Sequence, residues 1–256
     1  MAYKGYFIDL DGTIYQGKKS FPSGKRFIER LKAANKQFMF VTNNATRTPE
    51  QVQATLADGH DIHVDLDQIY TSAMATADYV AQLPNVHQVL VVGENGLHQA
   101  LASKGLKIVT QGLADAVVVG LNRNLKYDDL MYATLAIQQG AKFIATNIDT
   151  NLPNEKGMIP GAGSVVASVQ TSTQVDPIVI GKPYTPIMEG ALERAGLTVN
   201  DVVMVGDNYN TDIKAGINLK MDTLLVYSGI STKEQITAAQ IKPTHEVDSL
   251  DDWFIE

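Results

Sequence analysis

The chain has 256 residues, 45% of them hydrophobic and 19% charged, which describes a globular protein with a sizeable core in one large domain or two of ordinary size. Its net charge of −7 argues against nucleic acid or an anionic membrane surface as the main partner. Cysteine is absent, which excludes disulfides and thiolate metal sites; with no signal-peptide pattern and no apolar run approaching ~18 residues, the expectation is a cytoplasmic protein with no membrane span.

Tyr6-Phe7-Ile8 predicts a buried parallel strand that stops abruptly at Asp9 and Asp11, with Gly12-Thr13 directly after. Ser20-Phe21-Pro22-Ser23 opens a helix whose apolar face is Phe27, Ile28 and Leu31. Gln37-Phe38-Met39-Phe40-Val41 reads as a second buried strand running into Thr42-Asn43-Asn44-Ala45. Thr48-Pro49-Glu50-Gln51 then supplies an N-cap, a proline at the first helical position and a capping-box glutamine. A short strand is expected at 69–72 and a helix at 73–83, after which Pro84-Asn85 breaks the chain. A second α/β series follows, with strands at 88–92, 116–120 and 142–146 and helices near 95–103, 127–138 and 162–170.

Past Asp176-Pro177, Ile178-Val179-Ile180 predicts a strand ending in Gly181-Lys182-Pro183. A helix beginning at Thr185 ends at Gly196, and Val202-Val203-Met204-Val205 is a further strand ending in Gly206-Asp207. Thr223-Leu224-Leu225-Val226 is the last strand, and a helix or turn precedes Trp253. The β-α-β-α order is that of an α/β protein with a parallel sheet. The partition it suggests is a core of residues 1–80 and 177–256 with an inserted α/β module at 81–176, although one continuous sheet would give the same alternation.

Four strand ends thus carry Asp9 and Asp11, Thr42 and Asn43, Lys182, and Asp207 followed by Asp212. Ligands of open α/β sheets collect beyond the carboxyl ends of the strands. Each group also has a plainer reading: Asp-x-Asp-Gly as a turn, Thr42-Asn43-Asn44 as a turn with capping side chains, Lys182 as a solvated loop lysine. Together they match the needs of phosphoryl transfer. One carboxylate attacks phosphorus, and a second moves protons to the leaving alcohol and from water. Oxygen ligands suit Mg²⁺, and a hydroxyl, an amide and an ammonium hold the remaining phosphate oxygens. Like charges 4 Å apart repel by ~4 kcal/mol at an effective dielectric of 20, so a carboxylate approaching a phosphate dianion needs both the metal and the lysine.

These residues resemble the haloacid dehalogenase (HAD) superfamily of phosphohydrolases, through Asp-x-Asp-Gly-Thr at 9–13, the strand-end Thr42, Lys182 and Gly-Asp-x₄-Asp at 206–212. The chain is most similar to the NagD-like subfamily (IIA), whose pattern includes Val-Thr-Asn-Asn at 41–44, Tyr-Thr-Ser-Ala at 70–73, Gly-Lys-Pro at 181–183 and Gly-Asp-Asn at 206–208. The resemblance implies a Rossmann-like core with an inserted C2-type α/β cap. It implies Asp9 as nucleophile, Asp11 as general acid and base, and Thr42, Asn43 and Lys182 as ligands of the phosphoryl group. It further implies Mg²⁺ held by Asp9, the main-chain carbonyl of Asp11 and Asp207, with Asp212 and Asn208 behind them. The implied substrates are small phosphate monoesters: sugar phosphates, acid-sugar phosphates or nucleotides, with p-nitrophenyl phosphate as an in vitro substrate.

In the inserted module, Arg123 has the chemistry to fork onto a substrate carboxylate, or to stand as a surface arginine. Asn147 and Asp149 have the chemistry to bond sugar hydroxyls, or to form an Asx-turn. A phosphomutase uses the same two acids and stays open as an alternative. A receiver-like signalling module shares the acids, Thr and Lys, but is usually half this length and lacks a counterpart of Asp11. The sequence leaves the oligomeric state open, a homo-oligomer included.

Overall fold

A computed structural model of the chain describes residues 3–154 and 156–256. The first stretch runs β1 (Gly5–Ile8), a small ribbon of β2 (Tyr15–Gln16) and β3 (Lys19–Ser20), α1 (Pro22–Ala33), β4 (Gln37–Thr42), α2 (Pro49–His60) and β5 (Ile69–Thr71). Next come α3 (Ser72–Gln82), β6 (Gln88–Val92), α4 (Asn95–Ser103), β7 (Lys107–Val109), β8 (Ala116–Val119), α5 (Tyr127–Gln138) and β9 (Lys142–Ala145). β10 (Asn151–Asn154), β11 (Gly157–Pro160), α6 (Ala162–Thr173) and β12 (Ile178–Val179) follow. The chain closes with α7 (Thr185–Ala195), β13 (Val202–Gly206), α8 (Lys214–Leu219), β14 (Asp222–Val226), α9 (Lys233–Ala238) and β15 (His245–Val247).

Two compact units result. One comprises Met1–Thr42, Glu50–Tyr70 and Lys182–Glu256, and the other Asn43–Pro49 and Thr71–Gly181. The first is built on a six-stranded sheet in the order β15-β14-β13-β1-β4-β5. β1 lies parallel between β13 and β4, with Ile8 opposite Val205 on one side and Phe40 on the other. From β1 the chain continues outward to β4, and β13 continues the opposite way to β14, so the strand order reverses between β1 and β13. A crevice at such a reversal is where open α/β sheets bind ligands. Burial on both faces explains why the central strands β1, β4 and β13 are largely apolar, without polar alternation. Their core is aromatic-rich, with Tyr6, Phe27, Phe38 and Phe40 among its buried members.

The second unit has its own parallel sheet in the order β12-β9-β8-β6-β7, plus the antiparallel hairpin β10–β11. Its core is made mostly of small aliphatics such as Val92, Val117, Val119, Ala133 and Val166. Ile178-Val179 was expected to begin the return to the core, but pairs with β9 in this second sheet, Ile178 opposite Ile144. Two bonds prolong that pairing, from Ile180 N to Ala145 O (3.0 Å) and from Gly181 N to Thr146 O (2.8 Å). The unit therefore runs on to Gly181 and takes in α3, beyond both bounds of 81–176. So short an apolar run, Ile178-Val179-Ile180, has no periodicity that says which of two sheets it joins. Among the described residues no helix is long and apolar enough to cross a membrane.

Candidate active site

Parallel pairing of β1 with β13 sets the register that matters: the Asp9 N–H donates to Val205 O at 2.9 Å, so Asp9 leaves the sheet beside Gly206 and Asp207. Lys182 reaches the same place and is 1% exposed. Its ammonium donates to Asp9 Oδ1 (2.7 Å), Val41 O (2.7 Å) and Asp212 Oδ1 (2.8 Å). Asp212 sits in a π-helical turn, Tyr209–Ile213, and its second oxygen accepts from Asn208 N at 3.1 Å. Such turns are rare and occur often at functional sites.

Asp207 is fully buried and held on both oxygens. Thr13 Oγ1 donates to Oδ1 at 2.9 Å, and Ile230 N donates to Oδ2 at 2.8 Å. Space for this carboxylate depends on two glycines, because a Cβ at Gly12 or at Gly229 would overlap it. Gly12 also has φ +98, the region that favours glycine. A Cβ at Gly206 would overlap Asp212 in the same way. Ser228 ties the two loops together by donating to Gly12 O at 2.7 Å. Thr13 was read only as part of its motif, and Ser228, Gly229 and Ile230 were not singled out. Their signal was a glycine, Gly229, a short way beyond the β14 strand end at Val226.

Asp9, Asp207 and Asp212 present oxygens that all lie within 4.8 Å of one another. Fully ionised they set three negative charges against the single positive charge of Lys182. Burial pushes the Asp9 carboxyl well above its usual range; Lys182 opposes that, and Asp212 and Asp207 add to it. Burial, then the Asp212 charge, raises Asp207 to about 6, against the two bonds from Ile230 and Thr13. Burial alone would lower Lys182, but Asp212 and Asp9 outweigh it and hold the ammonium charged. The donor set tests well for a metal: carboxylates only, clustered, buried and short of positive charge, which is what a hard divalent cation such as Mg²⁺ requires. Imidazole and thiolate, which favour softer ions, take no part in the group.

The remaining expected residues divide. Asp11 is exposed where Asp9 is buried, because the chain turns sharply after Leu10: Ile14 N donates to Leu10 O (2.9 Å) and Gly12 N to Tyr15 O (2.7 Å). Thr42 is buried at the end of β4. Asn43 falls in the second unit, where its Nδ2 donates to Asp149 Oδ2 (3.1 Å) and Oδ1 (3.3 Å). Asn147 forms an Asx-type turn, its Oδ1 accepting from Asp149 N at 3.1 Å. Arg123 forks onto Glu94, with Nε to Oε1 at 2.8 Å and Nη2 to Oε2 at 2.6 Å.

Known proteins resemble the chain in sequence and in fold. The family described as "Haloacid dehalogenase-like hydrolase" matches residues 6–107, and a HAD-hydrolase-like family matches residues 179–253. The chain is 45% identical over 253 residues to the 5'-nucleotidase YutF of Bacillus subtilis, covering 99% of this chain and 98% of that one. It is 42% identical over 254 residues to an acid sugar phosphatase of Staphylococcus aureus, with the same coverage. Among solved structures, a double mutant of the thermostable NPPase of Geobacillus stearothermophilus superposes with a TM-score of 0.94 at 45% identity, covering 100% of both chains. NagD of Escherichia coli K-12 superposes with a TM-score of 0.93 at 29% identity, again over 100% of both.

Proposed function

Because the chain belongs to the haloacid dehalogenase-like hydrolases, in their NagD-like branch, we propose that it is a Mg²⁺-dependent phosphatase of small phosphorylated metabolites. The observation that carries this reading is the buried group of Asp9, Asp207, Asp212 and Lys182 beyond the ends of β1 and β13. The names of the relatives, a 5'-nucleotidase and an acid sugar phosphatase, support phosphate monoesters of sugars, acid sugars or nucleotides as the substrate class.

In this proposal Asp9, the main-chain carbonyl of Asp11 and Asp207 would hold Mg²⁺, with Asp212 and Asn208 behind them. Bound there, the ion neutralises charge on the phosphoryl oxygens and on the carboxylate that approaches them. The Asp9 carboxylate attacks phosphorus, the bond from phosphorus to the ester oxygen breaks, and Asp11 gives its proton to the departing alcohol. Asp11 then takes a proton from water, the water oxygen attacks phosphorus, and inorganic phosphate leaves as the Asp9 carboxylate is restored. Thr42, Asn43 and Lys182 hold the transferring group. Lys182 has a second task, since the same ammonium that faces the phosphoryl group already bonds Asp9 and Asp212.

Turnover with p-nitrophenyl phosphate tests the reading. Wild-type protein with Mg²⁺ is expected to release phosphate over many cycles, and Asp9→Asn to lose roughly 10³-fold or more of that rate. A variant retaining a tenth of the rate would remove Asp9 from the nucleophile's role. Release of about one equivalent per chain would point to a phosphate acceptor, and transfer to a second sugar hydroxyl to a mutase.

A further inference from the structure

His60 is the last residue of α2, buried although polar, and no step of the proposed mechanism uses it. Its ring lies flat on that of Tyr15, with centroids 4.3 Å apart and planes 1° from parallel. Its Nδ1 bonds Ser20 Oγ at 2.7 Å, and that hydroxyl donates to Gly59 O at 3.3 Å. Tyr15 and Ser20 stand opposite each other across the ribbon of β2 and β3, which puts both side chains on one face. His60 therefore meets the ribbon twice, with its ring face and with its edge. The helix end that carries it is itself capped. Asp61 takes φ +54, its N–H donates to Ala57 O (3.1 Å), and Ile62 N donates to Leu56 O (2.9 Å).

The ribbon is tied to the loop of Asp11 through its main chain. Gly12 N donates to Tyr15 O at 2.7 Å, Tyr15 N donates to Leu10 O at 3.3 Å, and Asp11 pairs with Tyr15 in a bridge. A ribbon of two two-residue strands is marginal by itself and needs an anchor. From these contacts we propose that His60 is a positioning residue for Asp11: by clamping the Tyr15–Ser20 pair, it fixes the main chain that aims the Asp11 carboxyl at the leaving-group oxygen. The step rests on the phosphatase reading above. Asp11 is exposed, so the turn on which it sits decides where its carboxyl points. Its charge reaches the imidazole, opposing the burial that lowers the ring's pKa. Proton transfer requires hydrogen-bond reach, and a misplacement of ~1 Å can cost ~100-fold in rate.

The test compares His60→Ala, His60→Phe and Tyr15→Ala with wild type on phenyl phosphate and p-nitrophenyl phosphate, with thermal melting as a check on folding. p-Nitrophenolate leaves as a stable anion, whereas phenolate depends more on a proton from the acid. The ratio kcat/KM covers the steps up to phosphoryl transfer onto Asp9 and leaves out the attack of water. His60→Ala is expected to lower kcat/KM about tenfold for phenyl phosphate and less than about threefold for p-nitrophenyl phosphate. His60→Phe keeps a flat ring against Tyr15 and should recover most of that loss. Tyr15→Ala removes the other half of the stack and should show the same bias, so the test stands even if His60→Ala fails to fold. Without any turnover, exchange of the Gly12 amide should quicken about tenfold in His60→Ala while the amides of β14 keep their protection. Equal losses for the two esters, no recovery in His60→Phe, or an unaltered Gly12 amide would overturn the assignment. Wild-type protein inert toward both esters would sink the hydrolase reading, with the Gly12 amide still deciding whether His60 holds the Asp11 loop.

Discussion

The polar group of the first unit and that of the second make opposite uses of hydrogen bonding. Around Lys182 three carboxylates crowd one ammonium in a dry place, and burial raises both Asp9 and Asp207. Around Asn43 the partners are matched, each amide or N–H meeting an acceptor. The first arrangement leaves negative charge in excess, and a cation would balance it. The second pairs one carboxylate with amide and main-chain partners. Their hydrophobic surroundings differ too, aromatic-rich under the acids and small-aliphatic in the inserted sheet.

The largest test of that contrast removes the single cation. Lys182→Met leaves the buried acids without their counter-charge and is expected to destabilise the protein by about 3–5 kcal/mol in denaturant unfolding. An unchanged midpoint would mean that the acids are not ionised together.

Next comes pH. In chelator, Asp207 rises from 3.8 to about 6 on folding. The folded protein therefore holds this proton more tightly than the unfolded chain, a contribution that is full below about pH 4 and lost as pH rises through about 6. Asp207→Asn has no such group, so its melting temperature should gain on wild type from about pH 4 to about pH 7, by the equivalent of about 3 kcal/mol. Mg²⁺ should shrink the difference.

Asp207→Ala should raise the half-saturating Mg²⁺ concentration by more than about 100-fold, beyond the 10–100-fold typical of losing a partner one step removed from an ion. Unaltered Mg²⁺ dependence would place the metal elsewhere. The smallest effect belongs to the inserted unit. Arg123→Ala breaks an exposed fork to Glu94 and should change stability by less than about 1 kcal/mol, with KM for an acid-sugar phosphate shifted less than twofold. A tenfold KM rise would return Arg123 to substrate binding.

Most elements were legible because their signals are local. The run Tyr6-Phe7-Ile8, the proline at the start of α1 and α2, and Gly196 after α7 each follow from nearest-neighbour chemistry. The hairpin β10–β11 and the short strands β7 and β15 were not anticipated, because none of them holds three apolar residues in a row. The site was legible as residue types and positions. Thr13, Ser228, Gly229 and Ile230 were not, because Thr13, Gly229 and Ile230 lie against Asp207, and Ser228 against Gly12, across loops distant in the chain.

The sequence by itself determined the alternation of strands and helices, the acids, threonine and lysine at the strand ends, and the family resemblance that these carry. Tertiary structure decided that β1 lies against β13, that Ile178-Val179 joins the inserted sheet, and that Arg123, Asn147 and Asp149 bond protein partners. The reason is physical. Local propensity and hydrophobic period act over a few residues, whereas strand neighbours and the pairing of buried charges depend on groups up to about two hundred residues apart, brought together only when the chain packs.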